Sequence, residues 1–189
     1  HESYYKTIDI CEKIGTKEEK EKIIFTLYNI SIAYGQEIDH VTFKKNLDKM
    51  IGIEKEINTP LAKILTNALR CEYYYIKYNN ELVNNELLLD SIKIFAGKTL
   101  EVQDEAFKKA YEVTWKSIRA ESYVRLAYAE TKSLYPNWHT VLSFIKESEK
   151  SVRKLCSMRA TSSWCICTAS DEGSSSWPSS SNWITAWAW

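Results

Sequence analysis

Asn58-Thr59-Pro60-Leu61-Ala62-Lys63-Ile64-Leu65-Thr66-Asn67-Ala68-Leu69 holds a helix start and a buried helix face in one short stretch. Thr59 suits the N-cap, where its hydroxyl accepts from a backbone amide that the first helical turn leaves free. Pro60 suits the first helical position, where a missing amide costs nothing and the fixed φ is already helical. Leu61, Ile64, Leu65, Ala68, Leu69 and Ile76 then recur at helical spacing, which predicts a helix from Pro60 to about Tyr78 with that side inward.

The same grammar runs outward in both directions. Helix 1 is predicted over Glu2–Ile14, with Tyr4, Ile8 and Cys11 on one side and Gly15 as its stop. Thr16-Lys17-Glu18-Glu19 fits a capping box, the Thr oxygen on a free amide and the Glu reaching back. Helix 2 follows to about Tyr34, with Ile23, Ile24, Leu27, Ile30 and Tyr34 as its apolar stripe, and Gly35 ends it. Asp39 is a cap for helix 3, His40–Ile57, whose inward residues are Phe43, Leu47, Met50, Ile51 and Ile57. Beyond Asn79-Asn80, helix 5 is expected over 81–96, with Leu87, Leu88, Ile92 and Phe95 inward and Gly97 closing it.

A long helical pattern then runs from Asp104 to Leu134 without Gly or Pro, as one helix or as two with an unmarked break. A single helix of that length would span roughly 46 Å. Tyr135-Pro136-Asn137 ends it, and a last helix is expected over 138–153 with Trp138, Val141, Leu142, Ile145 and Val152 apolar. No Asn-Gly or Asp-Gly hairpin turn occurs and only five glycines are present, so the class is all-α.

Composition divides the chain near residue 155. Residues 1–154 are rich in Lys, Glu, Ile, Asn and Tyr. Residues 155–189 contain no Lys, two Ser triplets and Trp164, Trp177, Trp183, Trp187 and Trp189. The tail shows no helical period and is expected to be poorly ordered or non-native. One reading is translation out of frame after a truncated gene. The other is a natural tail that docks its Trp side chains on a partner. The start at His1, without an initiator Met, reads as a fragment or processed product of a larger bacterial-type protein.

The 25 basic and 25 acidic residues balance, which argues against a dominant nucleic-acid or anionic-membrane partner. No apolar run reaches the roughly 18 residues of a membrane span. Cys11 and Cys71 sit singly in helical patterns as small hydrophobes, and an odd count of five without regular spacing does not resemble a secreted disulfide framework. A cytoplasmic location is the expectation. Cys156, Cys165 and Cys167 lack a fourth ligand and the usual zinc spacing, so no metal is expected.

No phosphate loop, dinucleotide turn, nucleophile elbow or zinc helix is present, and His1, His40 and His139 are isolated. The pairs Glu18-Glu19 and Asp104-Glu105 sit at helix starts, where they meet the positive dipole end rather than act as acid and base. No catalytic residue and no cofactor are expected. Asn67, Arg70, Tyr74 and Lys77 recur at i, i+3, i+7 and i+10 on one face of helix 4, and Arg119 with Tyr123 form an i, i+4 pair on the long helix. These six residues are candidates to line a groove for an extended or acidic peptide, with an ordinary polar surface as the alternative.

Helix openings recur. Tyr5–Ile10, Phe43–Asp48, Leu88–Ile92 and Trp138–Leu142 correspond, at intervals of roughly 40–50 residues. Between them lie helices with Ile30-Ser31-Ile32-Ala33-Tyr34, Cys71-Glu72-Tyr73-Tyr74-Tyr75 and Leu126-Ala127-Tyr128. An aliphatic residue, a small residue and an aromatic three later resemble the first helix of a tetratricopeptide repeat. Ile30, Ser31 and Tyr34 match that order, Cys71 and Tyr74 match in part, and Ala127 has Glu130 where an aromatic belongs. The resemblance covers residues 1–154 as about three helix pairs plus a leading half-repeat, with a period longer than the usual 34 residues.

The resemblance implies an α-solenoid of about seven antiparallel helices that binds a protein or peptide in a concave groove. A non-repeating helical bundle is the alternative architecture. Three functions remain open: an interaction scaffold, the ligand-sensing part of a peptide-responsive regulator or multidomain defence ATPase, and a helical enzyme without a recognisable motif. Uncapped terminal helices are expected to expose apolar edges and to favour self-association.

Overall fold

The computed structural model describes residues 2–33, 40–80 and 85–160, with side chains described through residue 153. Every regular element among them is a helix: α1 (Glu2–Ile14), α2 (Lys17–Ala33), α3 (His40–Ile57), α4 (Pro60–Asn80), α5 (Glu86–Glu101), α6 (Glu105–Ala110), α7 (Glu112–Thr131) and α8 (Trp138–Ala160). Expectations for Tyr34, Gly35, Asp39, the first residues of helix 5 and the Trp/Ser tail beyond 160 lie outside the described residues. The composition break at 155 falls within α8.

Local signals set most boundaries. Gly15 takes φ +73° and its amide donates to the Cys11 carbonyl at 3.0 Å, closing α1. The Glu19 amide donates to Thr16 Oγ1 at 3.3 Å, as the capping box requires, but the Glu19 carboxylate takes Lys22 Nζ at 2.7 Å instead of reaching back. The Ala62 amide donates to Thr59 Oγ1 at 3.2 Å ahead of α4. Thr59→Ala is therefore expected to lower stability by about 1 kcal/mol, read from the midpoint of chemical denaturation with an unchanged slope.

Several expectations need correction. Gly97 does not end α5: it avoids the left-handed conformation, a Cβ there would meet nothing within 4 Å, and the helix continues to Glu101. The stop is extended Val102, after which Asp104 caps α6 by accepting from the Phe107 amide at 2.6 Å. Leu87 is 75% exposed rather than inward, because the buried row of α5 is Leu88, Leu89, Ile92, Ala96 and Thr99. Of the two readings left open for 104–134, the structure has two helices, α6 and α7. Tyr111, at φ −126° and ψ 42°, breaks the helix while its ring packs on buried Phe107 at 5.4 Å between centroids. On α8 only Val141 of the five expected apolar residues is buried. Trp138, Leu142, Ile145 and Val152 remain exposed along it. Tyr4 is also exposed, and Ile51 and Ile76 are half-buried.

Each helix from α1 to α5 packs on its chain neighbour, then α5 packs on α7 and α7 on α8. In addition α2 packs on α4, and α4 on α7. The core is two clusters. One joins α1, α2, α3 and the first half of α4, with Phe107 and Ile118. The other joins Cys71 and Tyr78 of α4 to Leu88, Leu89, Ile92 and Ala96 of α5 and Ala129 of α7. Both Cys11 and Cys71 are free and buried, as small hydrophobes. Among the described residues, no helix is long and apolar enough to cross a membrane.

Candidate functional site

Small residues open a cavity between α2, α4 and α7, which Tyr4 of α1 also lines. Ala33 of α2, Ala68 and Cys71 of α4, and Ser117 and Ser122 of α7 face one another without side chains large enough to fill the space. The resulting volume is about 450 Å³. Phe25, Tyr28 and Ile32 of α2 form an apolar wall, and Ile118 of α7 continues it.

A charged cluster of Glu72, Glu121 and Arg125 also lines the cavity. Arg125 shares the buried face of α7 with Ile118, Ser122 and Ala129, at i, i+4, i+7 and i+11. Its side chain is 4% exposed. Arg125 Nε and Nη2 lie 2.9 and 2.7 Å from the same Glu72 oxygen, Oε2, and the guanidinium sits 3.6 Å from the centroid of the Tyr75 ring. Tyr75 meets Tyr128 edge-on at 4.9 Å, and the Tyr128 hydroxyl donates to Asn79 Oδ1 at 2.6 Å. Arg125 is thus held by α4 through a charge pair on one side and a ring face on the other.

Glu121, one turn before Arg125, completes the cluster. Its Oε1 lies 2.7 Å from Arg125 Nη2, yet the angles miss those of a hydrogen bond and this buried oxygen has no hydrogen-bond partner. The contact is Coulombic only. With all three groups ionised, two carboxylates face one guanidinium, an excess of one negative charge. Burial pushes the Glu121 carboxyl above the ordinary carboxylate range; Arg125 opposes that and Glu72 adds to it. For Arg125, burial works against the charge, but Glu72 and then Glu121 outweigh it and keep the guanidinium protonated. Burial likewise raises the Tyr28 hydroxyl and the Cys71 thiol. Cys71 therefore stays a thiol, and its Sγ lies 3.7 Å from the Ile92 carbonyl.

The six residues singled out from the sequence lie elsewhere, in two separate groups. Asn67, Arg70, Tyr74 and Lys77 occupy the neighbouring face of α4. Arg70 Nη1 donates to Asn67 Oδ1 at 3.4 Å, and Arg70 Nη2 lies 3.8 Å from Glu54 of α3. The Arg70 guanidinium sits 5.2 Å from the centroid of the Phe95 ring on α5, and Tyr74 stacks on the same ring at 5.6 Å and 2°. Lys77 is exposed. Arg119 donates to the Tyr123 hydroxyl at 3.0 Å and covers Trp115 at 4.8 Å, and Tyr123 meets Phe144 of α8 at 6.3 Å. None of the six lines the cavity.

Sequence reasoning missed Glu72, Glu121, Arg125 and Tyr28. One signal was legible: an Arg on the stripe that Ile118, Ser122 and Ala129 define, with a Glu four residues before it. No group of three metal-ligating side chains gathers among the described residues. Comparison with known proteins gives no match to a family, a curated protein or a solved structure.

Proposed function

We propose that residues 2–160 form a helical repeat scaffold that binds a peptide or protein segment in the cavity between α2, α4 and α7. One observation carries this reading. Apart from Tyr4 of α1, the walls of the cavity come from α2, α4 and α7, and each successive pair of these is in contact. Between them in the chain, α3 bridges α2 to α4, and α5 bridges α4 to α7. A stack of helix pairs with one helix of each pair on the concave side has this neighbour pattern. The small residues of the tetratricopeptide resemblance support it further. Ser31, Cys71 and Ala127, one on each wall helix, are all buried. Ser31 also accepts a hydrogen bond from Asn46 Nδ2 of α3 at 3.3 Å, where the paired helices approach.

Selection of a random displayed peptide library on the full chain tests the reading. Peptides are expected to be enriched and to lose at least tenfold in affinity on Ser117→Trp, which places an indole in the cavity. Ser143→Trp, on the exposed surface of α8, is expected to leave their affinity unchanged. Equal binding to both variants would place the peptide site elsewhere.

A further inference from the structure

We infer that the cavity between α2, α4 and α7 receives a protonated amine or guanidinium on an apolar stem, a lysine or arginine side chain of the bound peptide, with Glu121 as its counter-ion. This rests on the scaffold reading above and names what that scaffold recognises.

The charge balance of the cavity comes first. Arg125 directs Nε and Nη2 at Glu72 Oε2 and lays its flat face on Tyr75. Glu121 receives a Coulombic contact from it and no hydrogen bond. Because Glu72 and Glu121 share this one guanidinium, the cluster keeps one carboxylate charge in excess when all three are ionised, in a partly desolvated place. A ligand bearing one positive charge balances that excess. An anionic ligand would instead meet two carboxylates and a guanidinium already committed to one of them.

Access comes second. The Glu121 side chain keeps 33% of its surface although Oε1 is covered. Glu121 lines the cavity, so its side chain borders that space. The walls then fit the stem. Phe25, Tyr28, Ile32 and Ile118 border the same space, and a lysine or arginine side chain buries its methylenes along such surfaces while its head reaches a charge. A volume of about 450 Å³ falls within the roughly 300–1,000 Å³ of pockets that hold small ligands.

Three measurements on the full chain separate the possibilities. Peptides enriched from the displayed library are sequenced and their affinities compared between wild type and Glu121→Gln. The same peptides are synthesised with acetyl-lysine or citrulline replacing the basic residue. Agmatine alone is titrated while backbone amide shifts around Ser117 and Glu121 are followed. Enriched peptides are expected to share a Lys or Arg beside apolar residues. Their affinity is expected to fall at least tenfold on Glu121→Gln and by a similar factor when the peptide's charge is removed, and to survive Arg70→Ala. The peptide-side substitution needs no protein variant and so does not depend on Glu121→Gln folding. Peptides that lose affinity on Ser117→Trp but carry no required cation overturn the inference and leave the scaffold reading standing. Saturable agmatine shifts without any enriched peptide overturn the peptide source and the scaffold reading together, leaving a small-amine site. No peptide and no agmatine response overturns both.

Discussion

Arg125→Met is expected to destabilise the fold by about 3 kcal/mol at pH 7, because it strands the Glu72 and Glu121 carboxylates without their cation in a partly dry cavity. It also removes the guanidinium that lies 3.6 Å from the Tyr75 ring centroid. The loss has a pH signature of known sign. A carboxyl whose folded pKa is raised binds its proton more readily in the folded state. Its penalty is complete above that raised value and fades as pH falls toward the ordinary carboxylate range. Glu121 is already raised in the presence of Arg125, and removing the cation raises it further. Urea unfolding at pH 7 and pH 5 should therefore show the difference from wild type shrinking at the lower pH. Glu121→Gln in the Arg125→Met background should recover part of the loss, since it removes one of the two unpaired charges. A loss that is equal at both pH values, with no recovery in the double variant, would mean that Arg125 acts through packing and not through charge.

Leu69→Ala is expected to cost about 3 kcal/mol, a value set by lost apolar transfer plus the cavity left behind. Leu69 is fully buried in the larger core cluster, between the Arg70 face of α4 and its cavity face. Leu87→Ala is its internal control. Both are leucines that helical spacing predicts to be inward, yet Leu87 stands in water on α5, so its truncation should change stability by less than about 0.5 kcal/mol. Thermal and denaturant midpoints of the two variants, measured side by side, test the assigned faces of α4 and α5 directly. Comparable losses would mean that α5 is rotated about its axis from the orientation described.

These two leucines mark where local sequence grammar succeeds and where it stops. The ends of α1 and α3 and the start of α4 follow from residues within one turn: Gly15 in the left-handed region, Thr59 as cap, Pro60 at the first position. Such signals need no knowledge of the rest of the chain. The end of α5 does, because a glycine stops a helix only where the chain turns left-handed, and nothing near Gly97 forces that turn. The break at Tyr111 leaves no Gly or Pro because an aromatic contact with Phe107, not a backbone preference, accompanies it. The site was legible only in fragments. Spacing put Asn67, Arg70 and Tyr74 on one face, but not that Phe95 of α5 meets the Arg70 and Tyr74 side chains there. The cavity cluster joins Glu72 to Arg125 across 53 positions of sequence, a pairing that helical periodicity does not encode.

Helix α4 contributes to both core clusters, and the cavity lies against it: Ile118 on its rim belongs to one cluster and Cys71 to the other. In nearest-neighbour terms, α4 and α7, the latter through Ile118 and Ala129, couple the two blocks. Under the scaffold reading proposed above, a ligand wedged between α2 and α7 is expected to change the angle between those blocks, with α4 and α7 as the pivot, and the stiffness of that pivot sets how far the two ends move.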